Sequence, residues 1–292
     1  MQNFPEVTEF TVPDRPAAVL GAGTMGRRIA LMLAARGGQV RIFDTSADQR
    51  AAAERYVTDL LPDIAAGLPG GAVGTAVPCD DLAAAVADTW LVVEAVPERL
   101  ELKRDLFAEL SRTAPASAVL ASNSSSYSTR LIADAVAVRP ERVVNAHFFT
   151  QLPDCRIVEV MSSGRTDPDV MKLLMTVLPE FGLRPYEVRR ESTGFIFNRI
   201  WAAIKRESLM VAAEGVATAE EIDEIFRDTL HTPVGPFRAM DMVGLDVVLD
   251  VEEHYAKERD GIPEGPRRLL RDLLAEGRLG AKSGRGFFSY DD

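Results

Sequence analysis

The stretch AAVLGAGTMGRRIALML, residues 17–33, limits the possible folds more than any other part of the chain. Four apolar residues run into Gly21, Gly23 and Gly26, and apolar positions at helical spacing follow. A strand that turns directly into a helix needs the first glycine for the tight turn. The second lets the backbone approach a diphosphate, and the third allows the helix to pack closely on the strand. Thr24 and Met25 open the helix, whose unpaired N–H groups suit phosphate oxygens. Asp44 closes the next β-rich run, QVRIFD, eighteen residues beyond Gly26. A carboxylate there can bind both hydroxyls of an adenosine ribose. No arginine follows Asp44 directly, so a 2′-phosphate would meet repulsion, and the pattern predicts NAD rather than NADP. The bland alternative is a flexible turn beside a solvated aspartate. The coincidence of strand, loop, helix and acid weighs against it.

Beyond this loop, β-rich runs alternate with helical stretches up to about residue 160, the mark of βαβ units and a parallel sheet. The strand candidates are residues 17–20, 39–44, 89–96, 117–123 and 142–149, with RIVEV (156–160) as a further short strand. After about residue 190 the chain becomes strand-poor. Phe197, Ile200, Ile204 and Val211 fall on one helical face. Thr218 followed by Glu221 reads as a capping box that opens another helix. The fold class expected is α/β, with a Rossmann-type domain over 15–190 whose sheet is mostly parallel and an all-α C-terminal domain over 191–292.

With 44 acidic against 33 basic residues the net charge is −11, which argues against nucleic acid or an anionic membrane as partner. No apolar run approaches the length that spans a bilayer. The opening MQNFPEVTEFTVPD has neither a basic start nor an apolar core, so it does not read as a signal peptide. Cys79 and Cys155 are too few for a disulfide framework and match no zinc spacing, so no metal is expected and a cytoplasmic setting fits.

His147, one of three histidines, ends the run RVVNAHFF, and Glu159 lies in the next short strand. A histidine at a strand end is more often structural than catalytic. Two features reverse that expectation: a glutamate within reach, and a place at the C-terminal edge of a nucleotide-binding sheet. An imidazole can take the proton left on oxygen when a hydride leaves a carbinol carbon. Glu159 would then hold the other ring nitrogen.

In family terms, the chain resembles the L-3-hydroxyacyl-coenzyme A dehydrogenases from about residue 17 to 290. The matching segments are GAGTMG, LVVEAVPERLELKRDLFAEL, SNSSS, HFF…RIVEV, TGFIFNR, GPFRAMDMVGLD and LGAKSGRGFFSY. The resemblance implies a Rossmann-type domain, a helical domain that usually carries a dimer interface, and an acyl thioester substrate. It makes His147 the general acid/base and Glu159 its partner, and it puts Ser125 and Asn198 around the substrate oxygen. It assigns Glu98, Lys103 and Lys282 to the cofactor site. Ser125 and Asn198 are neutral hydrogen-bonding groups, suited to an alcohol or ketone oxygen. Each also has a plainer reading. Ser125 sits among Ser122, Ser124, Ser126 and Ser128, any of which could cap the next helix. Asn198 could be a helix-start residue, and Lys103 a solvated helix residue. His231 reads as loop and His254 as surface.

Two departures from the family stand out. Thr150-Gln151 replaces the usual Asn-Pro after HFF. The segment from Thr45 to Asp80, where the family has a long helical arm with lysines for coenzyme A, looks shortened. It offers Arg50 and Arg55 against Asp48, Glu54, Asp59, Asp63 and Asp80. Pro62, Pro69 and the glycines at 70, 71 and 74 are expected to break a helical hairpin there. A carrier-bound, diketo-ester or free β-keto acid substrate is therefore the alternative to a coenzyme A ester.

Overall fold

The computed structural model describes residues 15–290, so the N-terminal stretch read above for a signal lies outside the described residues. The first compact unit ends at Phe195 and the second begins at Ile196. The first unit opens with β1 (Ala17–Leu20), α1 (Thr24–Ala34), β2 (Gln39–Phe43), α2 (Ala47–Ala66) and β3 (Thr75–Cys79). It continues through α3 (Leu82–Val86), β4 (Leu91–Glu94), α4 (Leu100–Thr113), β5 (Val119–Ser122) and α5 (Thr129–Ala133). It closes with β6 (Val143–Phe148), β7 (Ile157–Ser162), α6 (Pro168–Val177) and β8 (Arg184–Val188).

These strands form one sheet in the order β3-β2-β1-β4-β5-β6-β7-β8. The strands from β3 across to β6 are parallel; β7 runs antiparallel to β6 and parallel to β8. Helices cover both faces, which is why β1, β4, β5 and β6 are buried along their whole length and read as apolar runs. Polar residues enter these strands mostly near their C-terminal ends, at Glu94, Ser122, Asn145 and His147. The chain reverses its strand order on either side of β1, and a sheet of this kind opens a crevice at that point.

Two strands escape the sequence reading. β3 (TAVPC) and β8 (RPYEV) are the sheet edges, only partly buried and each containing a proline, so neither shows an apolar run. The helix-breaking expectation for Pro62 is also corrected. α2 continues through it to Ala66 and caps at Gly67, so the segment is one helix of 20 residues with no second hairpin arm. Pro62 is exposed, and the carbonyl it leaves unpaired can be hydrated.

In the second unit α7 (Phe197–Ala213), α8 (Ala219–Leu230), α9 (Pro236–Val243), α10 (Leu245–Glu258) and α11 (Gly265–Ala275) pack around Leu209, Phe237, Met240, Leu245, Val248 and Leu270. The Thr218–Glu221 capping box forms as read, with both reciprocal bonds present. The face read for α7 differs. Ala202, Ser208 and Leu209 are its buried residues, whereas Phe197 and Ile200 are 50% and 55% exposed, so the N-terminal half of the periodic stripe lies outside this core. Fully buried Asp241 accepts from the amides of Phe287 and Phe288 at 2.9 Å and from the Tyr290 hydroxyl at 3.1 Å, tying down the C-terminal segment.

Candidate active site

The glycine loop is built by steric necessity at two of its three glycines. Gly21 has φ +101°, and a Cβ there would lie 2.6 Å from the Ala95 carbonyl oxygen. A Cβ on Gly26 would lie 1.7 Å from the Gly21 carbonyl oxygen, so only glycine lets α1 start this close to the turn. Gly23 is different: a Cβ there meets nothing within 4 Å. Gly23 is also the N-cap of α1 and supplies no side-chain cap, so the first turn of the helix has no capping side chain beside this open space. Asp44 is fixed at the rim, its Oδ2 accepting from the Ala22 amide at 2.8 Å and its Oδ1 from the Ser46 amide at 2.9 Å. Open space over uncapped amides, with a carboxylate held beside them, fits the diphosphate and adenosine ribose of NAD.

At the other side of the crevice, the antiparallel pairing of β6 and β7 sets His147 directly opposite Glu159. Residues opposite each other in such a ladder point to the same face. The side chains meet, with His147 Nδ1 2.9 Å from Glu159 Oε2. Both are buried, at 6% and 2% exposure. An ionised Glu159 can only accept, which puts the proton on Nδ1 and leaves Nε2 as the free base. The imidazole is flanked by Phe149, tilted 44° at 5.0 Å, and by Phe195, stacked within 16° at 5.1 Å.

Between these two halves lies the serine loop, and a buried charge cluster holds it. Lys103, in the first turn of α4, is 1% exposed, so its reading as a solvated residue is wrong. Its ammonium lies 2.6 Å from Glu94 Oε1, 3.0 Å from Glu98 Oε2 and 3.4 Å from the Val96 carbonyl. Glu94, fully buried at the end of β4, also accepts from the Ser122 hydroxyl at 2.7 Å and the Val96 amide at 2.8 Å. Burial pushes its carboxyl above the usual range, against the pull of Lys103 and Ser122. For Glu98 burial acts in the same direction, but Lys103, the Ser124 hydroxyl and the Ser126 amide outweigh it and hold the carboxyl low. Glu98 Oε1 accepts from the Ser124 hydroxyl at 2.5 Å and from the amides of Ser125 and Ser126 at 3.2 and 3.0 Å.

The serines are thereby sorted. Ser122 and Ser124 serve the glutamates, Ser128 caps α5 through the Arg130 amide, and Ser125 is left lining a cavity. That cavity, about 190 Å³, is also bordered by Met25, Glu98, Lys103, Asn123, His147 and Thr150. It thus brings together Ser125, His147, Glu98, Lys103 and one residue of the glycine loop. Asn123 Oδ1 accepts from the Phe148 amide at 2.8 Å and ties the loop to β6 beside His147. Arg28 of α1 donates to the Thr150 carbonyl and anchors the chain that leaves β6.

Asn198, in the first turn of α7, and Lys282 belong to the second unit; Lys282 is paired with Asp246 at 2.5 Å. His231 ends α8 in the left-handed region, and His254 is half-exposed on α10 beside Glu258. Sequence reasoning passed over Glu94, Asn123 and Phe195. For Glu94 a signal existed: an acid that closes an apolar strand needs a buried partner. The α2 region also holds one more cation than expected, because Arg27 of α1 lies 4.9 Å over the Tyr56 ring.

A doubly wound sheet with an uncapped glycine loop, an aspartate fixed at its rim and a histidine–glutamate pair at its C-terminal edge defines a dinucleotide-binding oxidoreductase domain. Comparison with known proteins agrees. Residues 16–192 match the model described as 3-hydroxyacyl-CoA dehydrogenase, NAD binding domain, and residues 194–290 match its C-terminal domain. The chain belongs to the 3-hydroxyacyl-CoA dehydrogenase family, and its first unit is an NAD-binding domain.

A probable 3-hydroxybutyryl-CoA dehydrogenase of Bacillus subtilis is 32% identical, covering 94% of this chain and 96% of its own. The 3-hydroxyadipyl-CoA dehydrogenase of Escherichia coli is 35% identical over 94% of this chain, which spans 58% of that protein's length. The chain also spans 31% of the LAM1 3-hydroxyacyl-CoA dehydrogenase-like protein of Cochliobolus heterostrophus, at 46% identity over 149 residues. Among solved structures, a diketoreductase superposes with a TM-score of 0.79 at 29% identity, covering 96% of this chain and 100% of its own.

Proposed function

We propose that the protein interconverts a 3-hydroxyacyl and a 3-ketoacyl thioester, with His147 as the general acid/base. The observation that carries this reading is the buried His147–Glu159 pair at the cavity that Ser125 and Met25 also line. NAD, when bound, takes or supplies the hydride. His147 Nε2 takes the hydroxyl proton in oxidation and returns it in reduction, a role worth ~10²–10⁴-fold in rate. Glu159 keeps the tautomer that makes Nε2 the base. Ser125 donates to the substrate oxygen, and the family motif assigns Asn198 to the same oxygen. The Glu98 and Lys103 side chains border the cavity, and the family motif assigns them and Lys282 to the cofactor. Exposed Val216, Ile225, Leu230, Met242 and Val243 on the second unit support a homodimer through the helical domain.

A second reading keeps the chemistry and changes the handle. Five acids in the Thr45–Asp80 segment, and Thr150 at the cavity rim with Gln151 after it, favour a carrier-bound, diketo-ester or free-acid substrate. Exposed charge contacts are worth ~0–1 kcal/mol each. Arg50, Arg55 and Arg27 together could then add at most ~10²-fold for the nucleotide end of coenzyme A.

The test is NADH oxidation with acetoacetyl-coenzyme A, its pantetheine analogue, a diketo ester and acetoacetate, with wild type and His147→Gln. We expect activity with at least one of the four, and His147→Gln lowering turnover by ~10²-fold or more with NADH binding kept. A His147→Gln variant with most of its activity would remove the acid/base assignment. An advantage of acetoacetyl-coenzyme A above ~10³-fold over pantetheine would remove the second reading.

A further inference from the structure

One restraint on the imidazole is supplied by neither the dyad nor the cavity. A hydrogen bond to Glu159 fixes one point of the His147 ring but leaves it free to rock about the Nδ1···Oε2 line. The Phe195 ring, lying flat against it at 5.1 Å and 16°, removes that freedom. Phe149, tilted at 44°, restrains only an edge.

Phe195 is held for this contact at some expense to its backbone. It has φ +53° immediately after Gly194 at φ +74°, a region bulky residues rarely adopt and one that clusters at functional sites. Its amide donates to the Ser192 carbonyl at 2.9 Å, and its own carbonyl accepts from the Ser192 hydroxyl at 3.1 Å, which locks the turn. The ring is 3% exposed and packs with Met161 and Val188. Met161 is two residues beyond Glu159 on β7, so it stands on the same sheet face as the dyad. The turn therefore carries Phe195 over the face that holds both His147 and Glu159.

We infer that Phe195 is a positioning residue that clamps the His147 ring, keeping Nδ1 on Glu159 and Nε2 toward the cavity. The inference rests on the acid/base reading of His147. Loss of the clamp should affect the proton-transfer step and leave the cofactor site alone, since Phe195 is not among the residues of the glycine loop, the Asp44 rim or the Lys103 cluster.

The experiment compares wild type, Phe195→Leu, Phe195→Tyr and His147→Gln in the full chain, with acetoacetyl-coenzyme A and NADH. Activity is read together with ring-nitrogen NMR of ¹⁵N-histidine-labelled protein. With three histidines in the chain, His147 is assigned from the signal missing in His147→Gln. In wild type we expect a single Nδ1–H tautomer. Phe195→Leu should show averaged ring-nitrogen signals and a kcat about tenfold lower at an unchanged KM for NADH. That is less than the ~10²-fold cost of a 1 Å misplacement, because the Glu159 contact remains. Phe195→Tyr should restore both readouts.

A Phe195→Leu variant with wild-type kcat and a single tautomer overturns the inference. So does a loss of kcat with the tautomer unchanged and the KM for NADH raised in parallel, the signature of a packing role. If Phe195→Leu does not fold, Phe195→Met removes the aromatic face with a more adaptable side chain and is read in the same way. Full activity in His147→Gln, by contrast, would fail the acid/base reading itself, whatever the Phe195 variants do.

Discussion

Replacing Lys103 with methionine should be far more damaging than a helix-surface change, and its magnitude can be worked from the cluster. Methionine fills the volume of the lysine stem, so little cavity is created. Glu94, fully buried, would lose the cation 2.6 Å away while keeping Ser122 and the Val96 amide. Removing one partner of a buried pair costs ~3–5 kcal/mol. Glu98 is 35% exposed, so its share is screened by solvent and is not added. Glu94→Gln alone should cost ~1.5–3 kcal/mol, the worth of a charged hydrogen bond. The double variant buries no charge at this point and should return to within ~1–2 kcal/mol of wild type, giving a coupling above ~2 kcal/mol.

Urea unfolding is the assay, followed by Trp90 fluorescence in a Trp201→Phe background, because Trp90 is buried in the first unit and stacks on Phe181. The Lys103→Met midpoint should fall by ~1–2 M. The penalty should also shrink as pH falls from 8 toward 5. Burial raises the Glu94 carboxyl in the folded chain above its unfolded value, so the folded state gains stability as it takes up a proton. A Lys103→Met loss below ~1 kcal/mol, or a double variant as unstable as the sum of the singles, would refute the view that the cluster is held by charge compensation.

Gly23→Ala should unfold like wild type yet bind NADH weakly by calorimetry, since its Cβ enters space that no protein atom occupies; Gly26→Ala should lose both stability and binding. Asp44→Ser should narrow the preference for NADH over NADPH, measured as the ratio of kcat/KM values; an unchanged ratio would remove Asp44 from ribose recognition. Arg142, 1% exposed, donates to the carbonyls of Leu110, Ser111 and Pro115 at the end of α4, and burial lowers its guanidinium to about 10. Arg142→Met should therefore cost ~3–5 kcal/mol in the same urea assay, with no change in the KM for NADH.

What could be read from the sequence was whatever is local. The turn from β1 into α1 is written in three glycines within six residues, and the capping box at Thr218 in four. Buried strands announce themselves as apolar runs. The edges β3 and β8 do not, because half-exposed strands with proline carry no such signal. Lys103 looks solvated because helix periodicity ranks it among polar neighbours. Only Glu94, nine residues earlier and fully buried, reveals what the ammonium is for. Phe195 is the extreme case: its contact with a ring 48 positions away depends on a left-handed backbone turn. The His147–Glu159 pairing stood between these limits. Both residues were visible, but the antiparallel register that makes them face each other was not.

That register carries a consequence for how such a protein can change. His147 and Glu159 belong to a ladder of five residue pairs, from Val144 with Ser162 to Phe148 with Val158. Beyond Phe149, which packs on the imidazole, the connector from Thr150 to Arg156 bears Thr150 at the cavity rim but contributes no rung to the ladder. Its composition and length can therefore vary without a slip that would turn the base and its carboxylate to opposite faces. Substrate preference and proton chemistry are thus separately adjustable on one hairpin, and the connector is the segment to exchange when transplanting specificity between members of the family.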